Sequence, residues 1–281
     1  MKLLRYGDEG QEKWGVLDKA GEIRTLEDLL PQISGDPLSP AWLAQLQKHD
    51  PQTLPLLKAP HRIGACIPRP LNFVCVGLNY VDHAQETGSK APKEPILFLK
   101  ALSAFSGPYD DIVIPPGSKK TDWEIELGIV IGTKAAYVSE DNALDYVAGY
   151  AVVNDVSERE YQVERGGQWD KGKGCASFGP VGPYLVTKDE VPDPQALRLF
   201  CEVDGKMMQD GNTANMIFGV KTLVSYVSHF FTLHPGDIIA TGTPAGVGMG
   251  QKPTPIFLRP GQTVRLGIDG MGEQRSKTVG G

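Results

Sequence analysis

Glu124 and Glu126 stand two residues apart in Asp122-Trp123-Glu124-Ile125-Glu126-Leu127-Gly128-Ile129-Val130-Ile131. On a strand, alternate side chains share a face, so both carboxylates point one way while Trp123, Ile125 and Leu127 fill the other. Carboxylates that close repel unless a cation or a proton sits between them. A divalent ion answers that, and oxygen-only ligands suit Mg²⁺, Ca²⁺ or Mn²⁺. A solvated face of an antiparallel sheet is the other reading of the same pattern. Asp155 ends the apolar run Gly149-Tyr150-Ala151-Val152-Val153-Asn154 and precedes Ser157-Glu158-Arg159-Glu160. That quartet is a capping-box pattern and predicts a helix opening there. Asp155 is then either a third ligand at a strand-to-helix junction or a cap for that helix.

A second constellation is Leu78-Asn79-Tyr80-Val81-Asp82-His83-Ala84-Gln85-Glu86. One helical turn over 82–86 makes His83 and Glu86 neighbours on a face. A carboxylate bonded to imidazole fixes its tautomer and raises its basicity, as a general base acting on water requires. A surface ion pair gives the same H-x-x-E spacing. His49, His61, His229 and His234 have no comparable setting. In Gly166-Gly167-Gln168-Trp169-Asp170-Lys171-Gly172-Lys173-Gly174, Gly167, Gly172 and Lys173 fit G-x-x-x-x-G-K. Gly174 stands where a phosphate loop needs Ser or Thr, and the segment follows a helix rather than a strand, which excludes a nucleotide site. Lys173 between glycines reads instead as a flexible cation for an anionic substrate. Cys175 has no histidine near it in sequence and reads as an inert thiol. In the run 236–248 a strand enters a Gly-rich loop whose N–H groups and Thr hydroxyls could hold a carboxylate, or form a plain turn.

These residues need strands to carry them. Apolar runs punctuated by Gly and Pro predict strands at 72–78, 96–100, 125–131, 147–153, 184–186, 197–203, 237–241 and 264–268. Apolar residues at three-to-four spacing predict a helix at 218–232. The 33 Gly and 22 Pro follow no collagen period and instead mark many tight turns. The expected class is β-rich α+β, a mixed β-sandwich roll with a small N-terminal α+β domain. Prolines at 51, 55, 60, 68 and 70 cannot continue a helix or a central strand. They divide the chain into an N-terminal module over 1–60, a Pro-rich linker over 61–70 and a catalytic domain over 71–281.

The chain has 281 residues, and its 28 Lys+Arg against 34 Asp+Glu leave a net charge of −6, which speaks against nucleic acid as a partner. No run approaches the roughly 20 apolar residues of a membrane helix. The first ten residues lack the apolar core of a secretory signal. Four cysteines without C-x-x-C spacing disfavour a zinc ribbon or a disulfide scaffold, and a cytoplasmic location is expected.

The ordered set Val76-Gly77-Leu78-Asn79-Tyr80 with His83 and Glu86, Asp122-Trp123-Glu124-Ile125-Glu126, Asn154-Asp155-Val156-Ser157-Glu158-Arg159, Gly172-Lys173, and Thr241-Gly242-Thr243-Pro244 with Gly246-Val247-Gly248 resembles the fumarylacetoacetate hydrolase superfamily. The resemblance spans roughly residues 70 to 270. It implies the sandwich roll, a homodimer, and one Mg²⁺ or Mn²⁺ held by Glu124, Glu126 and Asp155. It also implies that His83 and Glu86 activate water on a segment that orders as a lid, with Lys173 catalytic. Gln162, Thr243 and Gly242 would contact substrate. The chain departs from the pattern at Lys100-Ala101 and at Gly174-Cys175-Ala176. Lys2-Leu3-Leu4-Arg5-Tyr6-Gly7, Gly166-Gly167-Gln168-Trp169 and Met208-Gln209-Asp210-Gly211 look like the branch acting on 2,4-diketo-3-deoxy-L-fuconate and L-rhamnonate, often labelled ureidoglycolate lyase. The implied reaction is hydrolysis of a dioxo acid at C3–C4 to pyruvate and a small acid such as lactate. Oxaloacetate decarboxylation, tautomerisation or ureidoglycolate cleavage would use the same site, and a non-catalytic metal or small-acid binding module is the rival from another class.

Overall fold

The longest apolar alternation in the chain becomes its central hairpin. The computed structural model describes residues 1–58 and 61–281. The N-terminal stretch forms the meander β1 (Lys2–Tyr6), β2 (Lys13–Leu17) and β3 (Ile23–Thr25), then helix α1 (Pro40–Leu46). Next come β4 (Phe73–Gly77), helix α2 (Val81–Glu86) and β5 (Ile96–Leu99). Short strands β6 (Phe105–Ser106), β7 (Ile112–Ile114) and β8 (Thr121–Asp122) lead into the hairpin of β9 (Ile125–Ile131) and β10 (Val147–Asn154). After β11 (Ser157–Glu158) the chain makes a π-helical turn (Glu160–Glu164) and helix α3 (Asp170–Lys173). Strands β12 (Gly179–Pro180), β13 (Leu185–Thr187), β14 (Arg198–Val203) and β15 (Lys206–Asn212) precede helix α4 (Val220–Ser228). Strands β16 (Ile238–Ala240), β17 (Thr263–Ile268) and β18 (Gly272–Gly280) follow.

Two sheets face each other. The larger has nine strands in the order β3-β2-β1-β13-β10-β9-β16-β4-β5, and the smaller five, β15-β14-β17-β18-β7. Leu127 and Ile129 of β9 and Val152 of β10 share a buried cluster with Leu199 and Cys201 of β14 and Leu266 and Ile268 of β17. Each such side chain stabilises the fold by about 1.5–3 kcal/mol when fully buried, so the sandwich interior selects the strand register. The opposite face of the large sheet packs Phe73, Cys75, Val130 and Ala151 against Leu3, Val16, Trp42 and Leu46. The molecule is mostly sheet with few helices, as the sequence predicts.

Local expectations hold where period two is clean and shift where tertiary bonds intervene. β9 occupies 125–131 as expected, and α4 is shorter than 218–232. The capping box does not open a helix at Ser157. Ser157 and Glu158 form β11 against β8 instead. Ser157 Oγ donates back to the Asp155 carbonyl, while Glu158 Oε2 accepts the Tyr161 N–H at 2.7 Å and so takes the capping role. Asp155 therefore caps no helix. At 237–241 the strand starts one residue late, because Asp237 accepts the N–H groups of Leu71, Asn72 and His234 and is spent on that turn.

The boundary expected at residue 60 lies outside the described residues. On the far side of it Ala65, Cys66 and Ile67 are buried, and the large sheet runs from β1 directly to β13, with Leu3 opposite Leu185. Among the described residues no helix is long and apolar enough to cross a membrane.

Candidate active site

Strand pairing brings the acidic residues together. Val153 of β10 lies opposite Glu126 of β9, and Asn154 opposite Ile125. The Asp155 N–H then donates to the Glu124 carbonyl at 2.9 Å, which carries Asp155 past the strand end to the same place as Glu124. Glu124, Glu126 and Asp155 are all buried, and each offers an oxygen within 4.8 Å of the other two. Trp123, Ile125 and Leu127 lie in the sandwich interior, as alternation requires.

Burying three carboxylates demands compensation. Lys173 Nζ donates to Glu124 Oε2 at 2.5 Å and to Asp155 Oδ2 at 2.8 Å. Lys100 Nζ lies 2.6 Å from Asp155 Oδ1, and the Arg159 guanidinium 2.8 Å from Glu124 Oε1. Among the described ion pairs none reaches Glu126, whose Oε2 accepts the Gly242 N–H at 2.9 Å. The consequences differ. Burial opposes ionisation of Glu124, but Lys173 and Arg159 overcome it and hold the carboxyl at about 2. Burial, with Asp155 and Glu124 adding to it, pushes Glu126 well above the ordinary carboxylate range. Burial also works against charging Lys173, yet Asp155 and Glu124 raise it above the usual lysine value. The ammonium is therefore fixed and fully paired at 2% exposure, which corrects the expectation of a flexible cation.

A cavity of about 190 Å³ opens onto this cluster. His83, Phe98, Gln162, Trp169, Lys173, Thr243 and Met249 line it together with the three carboxylates. His83 sits on α2, where Nδ1 faces Glu86 Oε2 at 3.3 Å, leaving Nε2 free of that carboxylate. Glu86 itself lies behind the histidine, and its Oε1 accepts the Gly246 N–H at 3.0 Å. Gln162 Oε1 accepts from Arg159 at 3.0 Å. Thr243 Oγ1 donates to the Ile125 carbonyl and accepts from Gln209, so its hydroxyl is committed to the scaffold although it borders the cavity. Gly242 is not among the lining residues; its N–H serves Glu126.

The all-oxygen donor set, buried and closely spaced, fits a hard divalent cation such as Mg²⁺ or Mn²⁺, and the unpaired Glu126 is the group such an ion would neutralise. Sequence reasoning missed the roles of Lys100, Arg159 and Asp122. Lys100 ends the apolar run Ile96-Leu97-Phe98-Leu99, and a lysine there was the available sign that buried anions needed a counter-charge. Cys175 is partly buried and its thiol raised by burial, in keeping with an inert role.

The family profile described as "Fumarylacetoacetate (FAA) hydrolase C-terminal" matches residues 72–279. A Burkholderia orbicola (strain MC0-3) protein with a general hydrolase name is 62% identical over 278 residues, 99% of each chain. The solved fumarylacetoacetate hydrolase of Exiguobacterium antarcticum is 36% identical with a TM-score of 0.84, covering 100% of both chains. Maleylpyruvate hydrolase from Sphingobium sp. SYK-6, solved with manganese(II) and pyruvate, is 29% identical with a TM-score of 0.76, again covering 100% of both. With a family profile over most of its length and the acidic cluster on a matching fold, this chain belongs to the fumarylacetoacetate hydrolase family.

Proposed function

We propose that this enzyme hydrolyses the C3–C4 bond of a 2,4-dioxo acid of the acylpyruvate type, releasing pyruvate and a small carboxylic acid. The observation that carries the reading is that His83, paired with Glu86, and the three-carboxylate cluster border one cavity of about 190 Å³. Decarboxylation or tautomerisation needs no activated water, so the ordered His83–Glu86 pair favours hydrolysis. His83, oriented by Glu86, takes a proton from water at Nε2, and the water oxygen adds to C4. The C3–C4 bond breaks with its electrons going to C3, and the resulting pyruvate enolate accepts a proton at C3. Substrate plus water thus equals pyruvate plus acid. Mg²⁺ or Mn²⁺ held by Glu124, Glu126 and Asp155 would supply Lewis-acid polarisation of the reacting carbonyl.

Charge supports an anionic substrate. With Glu126 ionised, as a bound cation would make it, Asp122 and the three carboxylates carry four negative charges against the three positive of Lys100, Lys173 and Arg159, and a divalent cation brings the total to one positive. The substrate tail we assign to a 2,4-diketo-3-deoxy sugar acid, on the resemblance of residues 2–7, 166–169 and 208–211 to that branch. A six-carbon 6-deoxy substrate would then give pyruvate and lactate. Gln209 supports Thr243, and Trp169 borders the cavity, so two of those three segments bear on the site. Four unpaired cysteines support a reducing cytoplasm, and the family resemblance supports a homodimer.

Pyruvate release from a panel of 2,4-dioxo acids, with Mg²⁺ or Mn²⁺ against a chelator, tests the reading. Release is expected only with metal, and His83→Ala should keep Mn²⁺ binding while losing about 10²–10⁴-fold in rate. No release from any dioxo acid, with oxaloacetate losing carbon dioxide instead, would overturn it in favour of decarboxylation.

A further inference from the structure

The loop after β16 contains Gly246-Val247-Gly248-Met249-Gly250, and each glycine is cramped by a different neighbour. A Cβ on Gly246 would lie 2.0 Å from the Met208 carbonyl oxygen, and one on Gly248 2.0 Å from that of Ile256 and 2.6 Å from Asp122 Oδ1. These contacts fit the loop to the body of the protein. Gly250 is different. The three atoms nearest its Cβ position all belong to the Glu86 carboxyl, with Cδ at 2.4 Å. That glycine fits the loop to α2.

Asp122 holds the middle of the loop. Its fully buried carboxylate accepts the N–H groups of Trp123, Gly248 and Met249 at 2.8, 2.6 and 3.0 Å, and Arg159 Nε at 2.8 Å. With Gly248 and Met249 fixed, the Gly246 N–H is aimed at Glu86 Oε1, while Glu86 Oε2 faces His83. The guanidinium of Arg159 that binds Asp122 also reaches Glu124. One arginine therefore ties the loop to the acidic cluster.

We propose that Gly246–Gly250 is a seat for α2 and that Asp122 is a positioning residue for the base. Asp122 sets the loop, the loop sets Glu86, and Glu86 sets His83, so docking α2 and orienting the imidazole are one event. A carboxylate held at both oxygens has lost the rotamers that would leave His83 turning freely, which is how preorganisation raises a rate. The inference rests on His83 being the base only for its activity readout; the docking itself is measured without substrate.

Gly250→Ala is the direct probe. Its backbone does not occupy the left-handed region, so alanine fits the main chain, and the three atoms nearest the added methyl are those of the Glu86 carboxyl. Hydrogen–deuterium exchange should show faster uptake over residues 81–88. Pyruvate release should fall about 10²-fold, and Mn²⁺ affinity should stay within about twofold, since Glu86 is not one of the three carboxylates. In a Glu86→Ala background the same substitution should cost nothing further, since its target is gone. Asp122→Asn, which offers one acceptor oxygen in place of two, should raise exchange over both 81–88 and 246–250. Unchanged exchange over 81–88 in Gly250→Ala, or losses that multiply across the double mutant, would overturn the proposal. If the parent enzyme releases pyruvate from no dioxo acid, the proposed reaction fails while the exchange arm still decides the seat.

Discussion

Lys100 joins two parts of the site with one ammonium group. Nζ lies 2.6 Å from Asp155 Oδ1 and donates to the carbonyls of Val156 and Lys173 at 3.2 and 2.7 Å. The last of these is the carbonyl of the residue that ends α3, so the group both neutralises a carboxylate and secures the short helix carrying Lys173. Because the pair is out of water, removing Lys100 leaves the buried carboxylates of Asp155 and Glu124 to share the single ammonium of Lys173. Lys100→Met keeps the unbranched side chain to within one atom of its length and deletes the charge. It should lower the unfolding free energy by about 3–5 kcal/mol, read as a lower urea midpoint at constant slope. A change within the range of an exposed ion pair, about 0–1 kcal/mol, would mean that Lys173 alone suffices to neutralise Asp155.

The elements show why part of this was readable and part was not. The acidic strand announces itself by period two, because apolar residues must alternate toward the sandwich whatever faces them, and Glu124 and Glu126 are the residues left over. β15 and β18 gave no such signal. In β18 the inward positions are Gln274, Ser276 and Thr278, all buried, and Gln274 Nε2 donates to the carbonyls of Val152, Pro180 and Gly182. Polar residues such as Gln274, bonded to distant backbone, read as surface until their partners are known. Glycines are opaque for the same reason. Gly172 suggested mobility beside Lys173, yet a Cβ there would lie 2.4 Å from the Glu158 carbonyl oxygen and 2.7 Å from the Gln162 nitrogen. Its absent side chain lets α3 press against the π-helical turn, and that approach delivers Lys173 to Glu124 and Asp155. Gly172→Ala should push the helix outward, costing about 1–3 kcal/mol of stability and lowering kcat more than it raises KM. Loss of stability with kcat intact would show that Lys173 reaches the carboxylates without that close packing.

Over the whole molecule, the question is whether the first sixty residues fold as a module or as part of the sheet. Prolines around residues 51–70 suggest a joint, but packing joins the described residues on either side of it. β1 sits between β2 and β13, so the N-terminal meander forms the end of the nine-stranded sheet. The N-terminal ammonium donates to Thr187 Oγ1 at 2.5 Å, and Arg62 bridges Glu12 at 3.0 Å to Asp110 at 2.5 Å. Trp42 and Leu46 of α1 share a cluster with Phe73, Val130 and Ala151. A module of sixty residues without a core of its own is marginal by itself, and this one uses the core of the rest. We therefore expect one cooperative unfolding unit. The four tryptophans allow a clean test, since Trp14 and Trp42 lie in the N-terminal part and Trp123 and Trp169 in the remainder. In a Trp14→Phe/Trp42→Phe variant fluorescence reports the remainder, and in a Trp123→Phe/Trp169→Phe variant it reports the N-terminal part. Within each variant the urea transition by fluorescence should coincide with that by far-ultraviolet circular dichroism. Using two probes on one protein removes any difference in stability between the variants. An N-terminal fluorescence transition that precedes the loss of sheet signal would show a separable module, with the β1–β13 pairing a docking contact rather than a part of the folding unit.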